Sequence, residues 1–200
     1  INAREAKLFV GWATADITPD KPVALVGQLH KRISESVQDP LTATALAIET
    51  IDDRGNKEQA IMISCDLIFI RAQTQRKLQT LISERLPGFD ASRLFLNATH
   101  THTAPGLIDD EFFDLYDVSK DIGVMKPSEY ELLFLERTLE AASEAWNKRK
   151  PAGFSWCLGN AVLGHNRRTV KFDGSAKMYG VHEEDFSHYE GKEDSRVGML

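Results

Sequence analysis

Two histidines one residue apart, His100 and His102, stand in the run Asn97-Ala98-Thr99-His100-Thr101-His102-Thr103-Ala104-Pro105-Gly106. The apolar residues before them predict a buried strand over Arg93 to Ala98, and open α/β sheets carry ligands at the C-terminal ends of their strands. Side chains alternate along an extended chain, so His100 and His102 project to one face with Cα atoms about two rises of roughly 3.3 Å apart. Both imidazoles then reach one metal ion. Zinc takes neutral imidazole, and a catalytic site needs about three protein ligands plus a water, so the pair supplies part of such a site. On spacing alone, two rings satisfying buried backbone groups is an equal reading.

Asp66 follows the apolar run that begins at Ala60. A carboxylate there is costly unless it is paired or hydrogen-bonded. If its strand neighbours the histidine strand, Asp66 can orient an imidazole through the second ring nitrogen; bonding to local backbone amides accounts for it equally well. Cys65 beside it is a weak nucleophile candidate, because alternation turns it to the opposite face from Asp66. Cys65 and Cys157 both lie in apolar, strand-like runs, where a buried structural thiol is expected over a disulfide. His165-Asn166-Arg167-Arg168 places two guanidinium forks beside an amide in a loop, a pattern suited to oxygen-rich ligands or simply to a surface. His182 and His188, with Glu183, Glu184 and Asp185, lack the His-Glu-x-x-His spacing of a helical zinc site and read as solvated. Asn97-Ala98-Thr99 has the glycosylation pattern, but a buried strand would protect it.

The elements that must position these residues follow from periodicity. Leu8 to Thr18 and Leu41 to Ile51 read as strands, and the Asp52-Asp53-Arg54-Gly55-Asn56 turn makes a hairpin with a third, Gln59 to Ile70. That third run is apolar nearly throughout, as in a central strand covered on both faces. Leu78, Leu81, Ile82 and Leu86 give helical spacing over Ala72 to Leu86, stopped by Pro87-Gly88. Strand, helix and strand then make a βαβ unit with its two strands parallel. Gly106 to Lys126 is an irregular acidic stretch containing Asp109, Asp110, Glu111 and Asp114, a candidate functional loop or lid, or a solvated surface loop. Ser128 with Glu131 forms a capping-box pattern for a helix whose stripe is Leu132, Leu135, Leu139, Ala142 and Trp146. Lys148, Arg149 and Lys150 suit its C-terminal end, and Pro151 stops it. Phe154 to Leu163 reads as a strand, Gly164 to Glu193 as irregular, and Arg196 to Leu200 as the opening of another strand.

At 200 residues, with 42% hydrophobic and 27% charged residues, the composition is that of a folded globular chain forming one domain or a piece of one. A net charge of -6 offers no broad attraction to phosphate backbones, which excludes nucleic acid as the main partner. The longest apolar stretch, Ala60 to Ile70, is broken by Asp66 and falls short of the roughly 20 residues of a spanning helix, so no transmembrane segment is expected. The chain opens on Ile1 without a charged and apolar leader, as expected if an export signal has been removed.

Several of these segments coincide with one family. Gly11-Trp12-Ala13-Thr14-Ala15-Asp16-Ile17-Thr18-Pro19, Asp39-Pro40-Leu41-Thr42-Ala43, Ser64-Cys65-Asp66, the His100 segment and Asn166-Arg167 together resemble the N-terminal catalytic domain of neutral/alkaline non-lysosomal ceramidases and their bacterial relatives. The resemblance runs nearly end to end. It implies an α/β fold, a layered α/β sandwich on a central mixed, largely buried sheet. It also implies a zinc amidohydrolase that cleaves the amide of an N-acyl sphingoid base, or a related lipid or small-molecule substrate, by metal-activated water. His100 would be a zinc ligand and His102 a second metal-side residue close to the reacting oxygen. Asp66 would support the catalytic site, while Asn166 and Arg167 would contact the substrate. Thr103-Ala104 stands where ceramidases carry Ser-Gly or Ser-Ala, and Arg168 replaces their small residue. The family's second histidine ligand, its glutamate and its tyrosine would fall after Leu200, so residues 1–200 are expected to be an N-terminal portion, incomplete at the C-terminal end and inactive alone. Family habit implies a secreted or periplasmic location. The alternatives are another metal-dependent hydrolase, acting on an ester or phosphoester through His100, His102 and Asp66, and a non-catalytic domain that binds an acyl chain or glycan.

Overall fold

The computed structural model describes residues 7–108, 111–178 and 184–199, and for 111–113 the backbone only. Asp109, Asp110, His182, Glu183, Leu200 and the Glu111 side chain therefore lie outside the described residues. The chain forms two compact units, residues 1–152 and 153–200.

The first unit is a five-stranded mixed sheet with two helices. Strands β1 (Lys7–Asp16), β2 (Thr42–Ile51), β3 (Lys57–Cys65), β4 (Leu94–Ala98) and β5 (Lys150–Ala152) lie in the order β4-β3-β2-β1-β5. All pairs are antiparallel except β3 with β4, which helix α1 (Ala72–Arg85) joins as the expected parallel βαβ unit. β4 is an edge strand rather than a buried one. Asn97 is exposed on it, so burial does not shield the Asn97-Ala98-Thr99 pattern.

Helices α1 and α2 (Pro127–Asn147) cover one face of the sheet, and the residues on that face are small where α2 comes closest. Ala13, Ala43, Ala45 and Ala47 are buried opposite Ala141, Ala142 and Ala145. At Gly11 a Cβ would stand 2.3 Å from the Ala145 carbonyl oxygen, so glycine is what lets the helix lie on β1. Bulkier Ile61, Ile63 and Leu94 fill the part nearer α1, which contributes Leu78 and Ile82. Tyr130 donates from the floor of α2 to the Ile17 carbonyl at 2.8 Å, and burial pushes its phenol pKa upward. Glu131 bridges the helices, accepting from Thr74 Oγ1 at 2.7 Å and from Lys77 Nζ at 2.5 Å.

Three expectations are corrected by this packing. Glu131 is committed to α1, so it forms no capping box with Ser128; Pro127 takes the first turn, and Glu129 reaches back to the Lys126 N–H at 3.1 Å. The buried stripe of α2 includes the expected Leu135, Ala142 and Trp146 but not Leu132, which is exposed, and it also takes in Tyr130, Phe134, Thr138, Ala141 and Ala145. Among the described residues the sheet is covered by helices on one side only: the cross-strand row Trp12, Leu46, Met62 and Phe95 lies on the other, with all but half-buried Leu46 exposed. β3 accordingly alternates rather than being buried on both faces. Among the described residues, no helix is long and apolar enough to cross a membrane.

The second unit holds β6 (Cys157–Asn160) paired with β10 (Arg196–Met199), and a small sheet of β7 (Thr169–Lys171), β8 (Ala176–Lys177) and β9 (Phe186–Tyr189) in the order β8-β7-β9. The apolar positions in Phe154 to Leu163 are too sparsely backed to bury one another, so Cys157 is an exposed thiol rather than a buried one. The small sheet occupies a stretch whose polar composition reads as irregular.

Candidate metal centre

The histidine segment begins where β4 ends at Ala98, and its backbone docks on the chain leaving β3. Thr99 N–H donates to the Cys65 carbonyl and His100 N–H to the Leu67 carbonyl, each at 2.9 Å. His100 has φ +64°, in the left-handed region. For a residue with a Cβ that conformation costs roughly 1–2 kcal/mol and persists where surrounding bonds impose it, commonly at functional sites. Strand alternation is therefore not what brings His100 and His102 together; the turn is. The two rings stand 5.1 Å apart, centroid to centroid, at 79°.

Each ring is held differently. His100 Nδ1 lies 2.7 Å from the Ile68 carbonyl oxygen. A carbonyl only accepts, so Nδ1 carries the proton and Nε2 keeps its lone pair, the tautomer a metal-ligating histidine needs. His102 is placed by its surroundings. Its carbonyl accepts from Arg32 Nη2 at 2.8 Å, and its imidazole lies against Gly27, where a Cβ would come within 2.6 Å of both Cγ and Nδ1. Gly27 in turn has φ +108°. Its N–H donates to the Tyr116 hydroxyl at 3.2 Å, and that hydroxyl donates to the Gln28 carbonyl.

Asp66 lies at the same end of the sheet but on other partners. Its Oδ2 accepts from Thr42 N–H at 2.9 Å and Thr42 Oγ1 at 2.8 Å, and its Oδ1 accepts from Thr99 Oγ1 at 3.2 Å. It ties the start of β2 to the residue before His100, while the ring nitrogen it was expected to orient is taken by Ile68. Thr18, Pro19, Asp39, Pro40, Asp66 and Thr101 help line a cleft of about 670 Å³. Cys65 is buried, and burial together with the Asp66 charge pushes its thiol up to about 12, which removes the thiolate a nucleophile needs.

Asn166 and Arg167 belong to the second unit, where they line a hollow of about 330 Å³ with His165, Tyr189, Gly191 and Glu193. Asn166 Oδ1 accepts from Arg168 N–H at 3.0 Å, and Arg168 Nε pairs with Glu190 at 2.7 Å. The two neighbouring arginines are thus separated, Arg168 to an ion pair and Arg167 to the hollow. His188 is exposed, with Nδ1 at 3.0 Å from Ser187 Oγ, apart from the histidine pair in sequence and in unit.

Zinc binds imidazole at about 2.0–2.1 Å, so two rings on one tetrahedral ion have centroids about 5 Å apart. The 5.1 Å spacing and the His100 tautomer fit two ligands of such a site. Among the described residues no group of three or more His, Cys, Asp or Glu gathers around one point, and two histidines are fewer than the roughly three protein ligands usual at a catalytic zinc. Sequence reasoning missed Gly27, Arg32, Ile68 and Tyr116. A carbonyl carries no residue-type signal, Gly27 and Arg32 lie far from the histidines in sequence, and Tyr116 reaches them only through Gly27.

No protein-family model matches the chain, and no curated protein matches it in sequence. Its fold is similar to that of the crystal structure of neutral ceramidase from Pseudomonas aeruginosa, with TM-score 0.62 and 18% identity over 84% of this chain and 25% of that one. A ceramidase complexed with C2 matches over the same shares, with TM-score 0.60 and 19% identity. The chain thus spans about a quarter of the length of these solved ceramidases.

Proposed function

We propose that this chain forms part of a zinc-dependent hydrolase of the neutral-ceramidase type, cleaving the amide of an N-acyl sphingoid lipid or a related N-acyl substrate. The observation that carries the reading is the histidine pair: two rings at the separation one zinc imposes, one of them already locked in the ligating tautomer, at the C-terminal end of a parallel strand. The likeness in fold to two solved ceramidases supports the substrate class.

Zinc bound there would supply a water of lowered pKa, near about 7, and polarise the acyl carbonyl. His100 offers Nε2 to the metal while the Ile68 carbonyl fixes its ring. His102, held by Gly27 and Arg32, stands beside it as a second ligand or as the group that holds a proton at the reacting oxygen. Asp66 keeps Thr99, and with it the turn into His100, on the start of β2. Arg167 and Asn166 offer a guanidinium fork and an amide to the hydroxyl and carbonyl oxygens of the substrate. His100 and His102 alone fall short of the roughly three protein ligands usual at a catalytic zinc.

The test is a substrate panel given to the complete protein: N-acyl sphingosine, an N-acyl amino acid, a carboxylic ester and a phosphate ester. Cleavage of the N-acyl substrates supports the reading. Cleavage of the phosphate ester alone replaces it with a phosphoesterase, and binding of N-acyl lipid without any cleavage replaces it with a binding domain.

A further inference from the structure

We infer that Tyr116 is a positioning residue for His102, acting through Gly27; the inference rests on the metal-centre reading for its purpose but not for its test. Tyr116 is a buried residue at the end of the 3-10 turn Glu111–Tyr116, and its hydroxyl engages backbone groups of two consecutive residues. It accepts from Gly27 N–H at 3.2 Å and donates to the Gln28 carbonyl. A donor and an acceptor bond to adjacent backbone groups fix the turn between them, and that turn holds Gly27 at φ +108°. In this conformation the side of Gly27 that would bear a Cβ faces the His102 ring, leaving the imidazole against bare backbone. Arg32, from the same segment, holds the His102 carbonyl at 2.8 Å. The ring of His102 makes no bond like that of His100 Nδ1 to Ile68 in the bonds described above, so its orientation depends on the shape of this cradle.

The acidic stretch that reads as a lid or a solvated loop therefore has a second use at Tyr116: it pins the floor under one of the two histidines. A positioning residue and a plain structural tie differ in what happens to each ring when the hydroxyl is removed. Tyr116→Phe deletes both bonds and keeps the ring that fills the pocket beside Val118 and Ile68.

The experiment is ring-carbon NMR relaxation of His100 and His102 in the complete protein, metal-free and selectively labelled at histidine, with a thermal melt alongside. The expected result for Tyr116→Phe is a His102 ring order parameter falling from a rigid value of about 0.85 to below about 0.6, with His100 unchanged on its Ile68 bond. The melting temperature should fall by only a few degrees, as for the loss of two hydrogen bonds of modest net worth. An unchanged His102 ring, or both rings loosening together, would overturn the inference in favour of a structural tie. Gly27→Ala is the second variant: its Cβ displaces the ring, so the His102 ring resonances should shift while the His100 resonances stay, and unshifted His102 resonances would also overturn it. Because no zinc or substrate is present, a protein that proves to have no hydrolase activity leaves this measurement intact, and a negative result here leaves the hydrolase reading untouched.

Discussion

The two units of the chain differ in how they hold their candidate functional residues. In residues 7–152 the histidines hang from a sheet whose helix-covered face is packed with fully buried Ile61, Ile63, Leu78, Ile82, Tyr130 and Phe134. In residues 153–199 no described residue is buried; Phe154, Trp156, Leu158, Val162, Leu163 and Phe172 are all exposed, and the segment is held by strand pairing and by ion pairs such as Lys171 with Asp185 at 2.6 Å. A metal ligand needs its position fixed to within a fraction of an ångström, and the unit that carries His100 and His102 has the core to do that. In the proposed reading Arg167 meets a substrate by charge and hydrogen bonding, which tolerates the looser support of the second unit.

Truncation separates the two most strongly. Phe134→Ala should lower the unfolding free energy of the first unit by about 3–5 kcal/mol through lost burial and a cavity, read by urea unfolding. Leu158→Ala in the second unit should change it by less than about 0.5 kcal/mol. Equal losses from the two variants would mean that the second unit is as well packed as the first.

A smaller and pH-dependent contrast comes from two carboxylates. Burial raises the Glu49 pKa, but the Gln59 hydrogen bond at 3.0 Å and Arg149 at 3.2 Å outweigh it and leave the group below its ordinary 4.5. A depressed carboxylate contributes stability that is present above the unfolded pKa and is lost as pH falls through the folded one. Wild type should therefore lose more stability than Glu49→Gln between about pH 5 and pH 3, measured as the shift in urea midpoint. Asp194 in the second unit is also held low, by hydrogen bonds from the Arg196 side chain and backbone, but it is fully exposed. Asp194→Asn should leave the acid limb of the curve unchanged.

How far each feature could be read in advance follows the same division. Alternating and helical periods put β1, β2, α1 and the parallel β3–β4 pair within a few residues of where they lie, because a packed face leaves its period in the sequence. β7, β8 and β9 bury nothing and left no such period. The apolar run through Met62 misled in another way: a strand with an uncovered apolar face has the composition of one covered on both sides. At the site, residue types pointed to His100 and His102, and the structure brings their rings together. The means were invisible, since the positive φ of His100 and the Ile68 carbonyl belong to the backbone, and Tyr116 meets Gly27 across 89 positions of chain.

The measurement that bears most directly on the metal-centre reading is the zinc content of the complete protein, purified without chelators, against its His100→Ala variant. Roughly one zinc per chain in the wild type, lost in His100→Ala with the fold intact by circular dichroism, is the predicted result. Zinc retained undiminished in His100→Ala, or none bound by the wild type with zinc supplied, would contradict it.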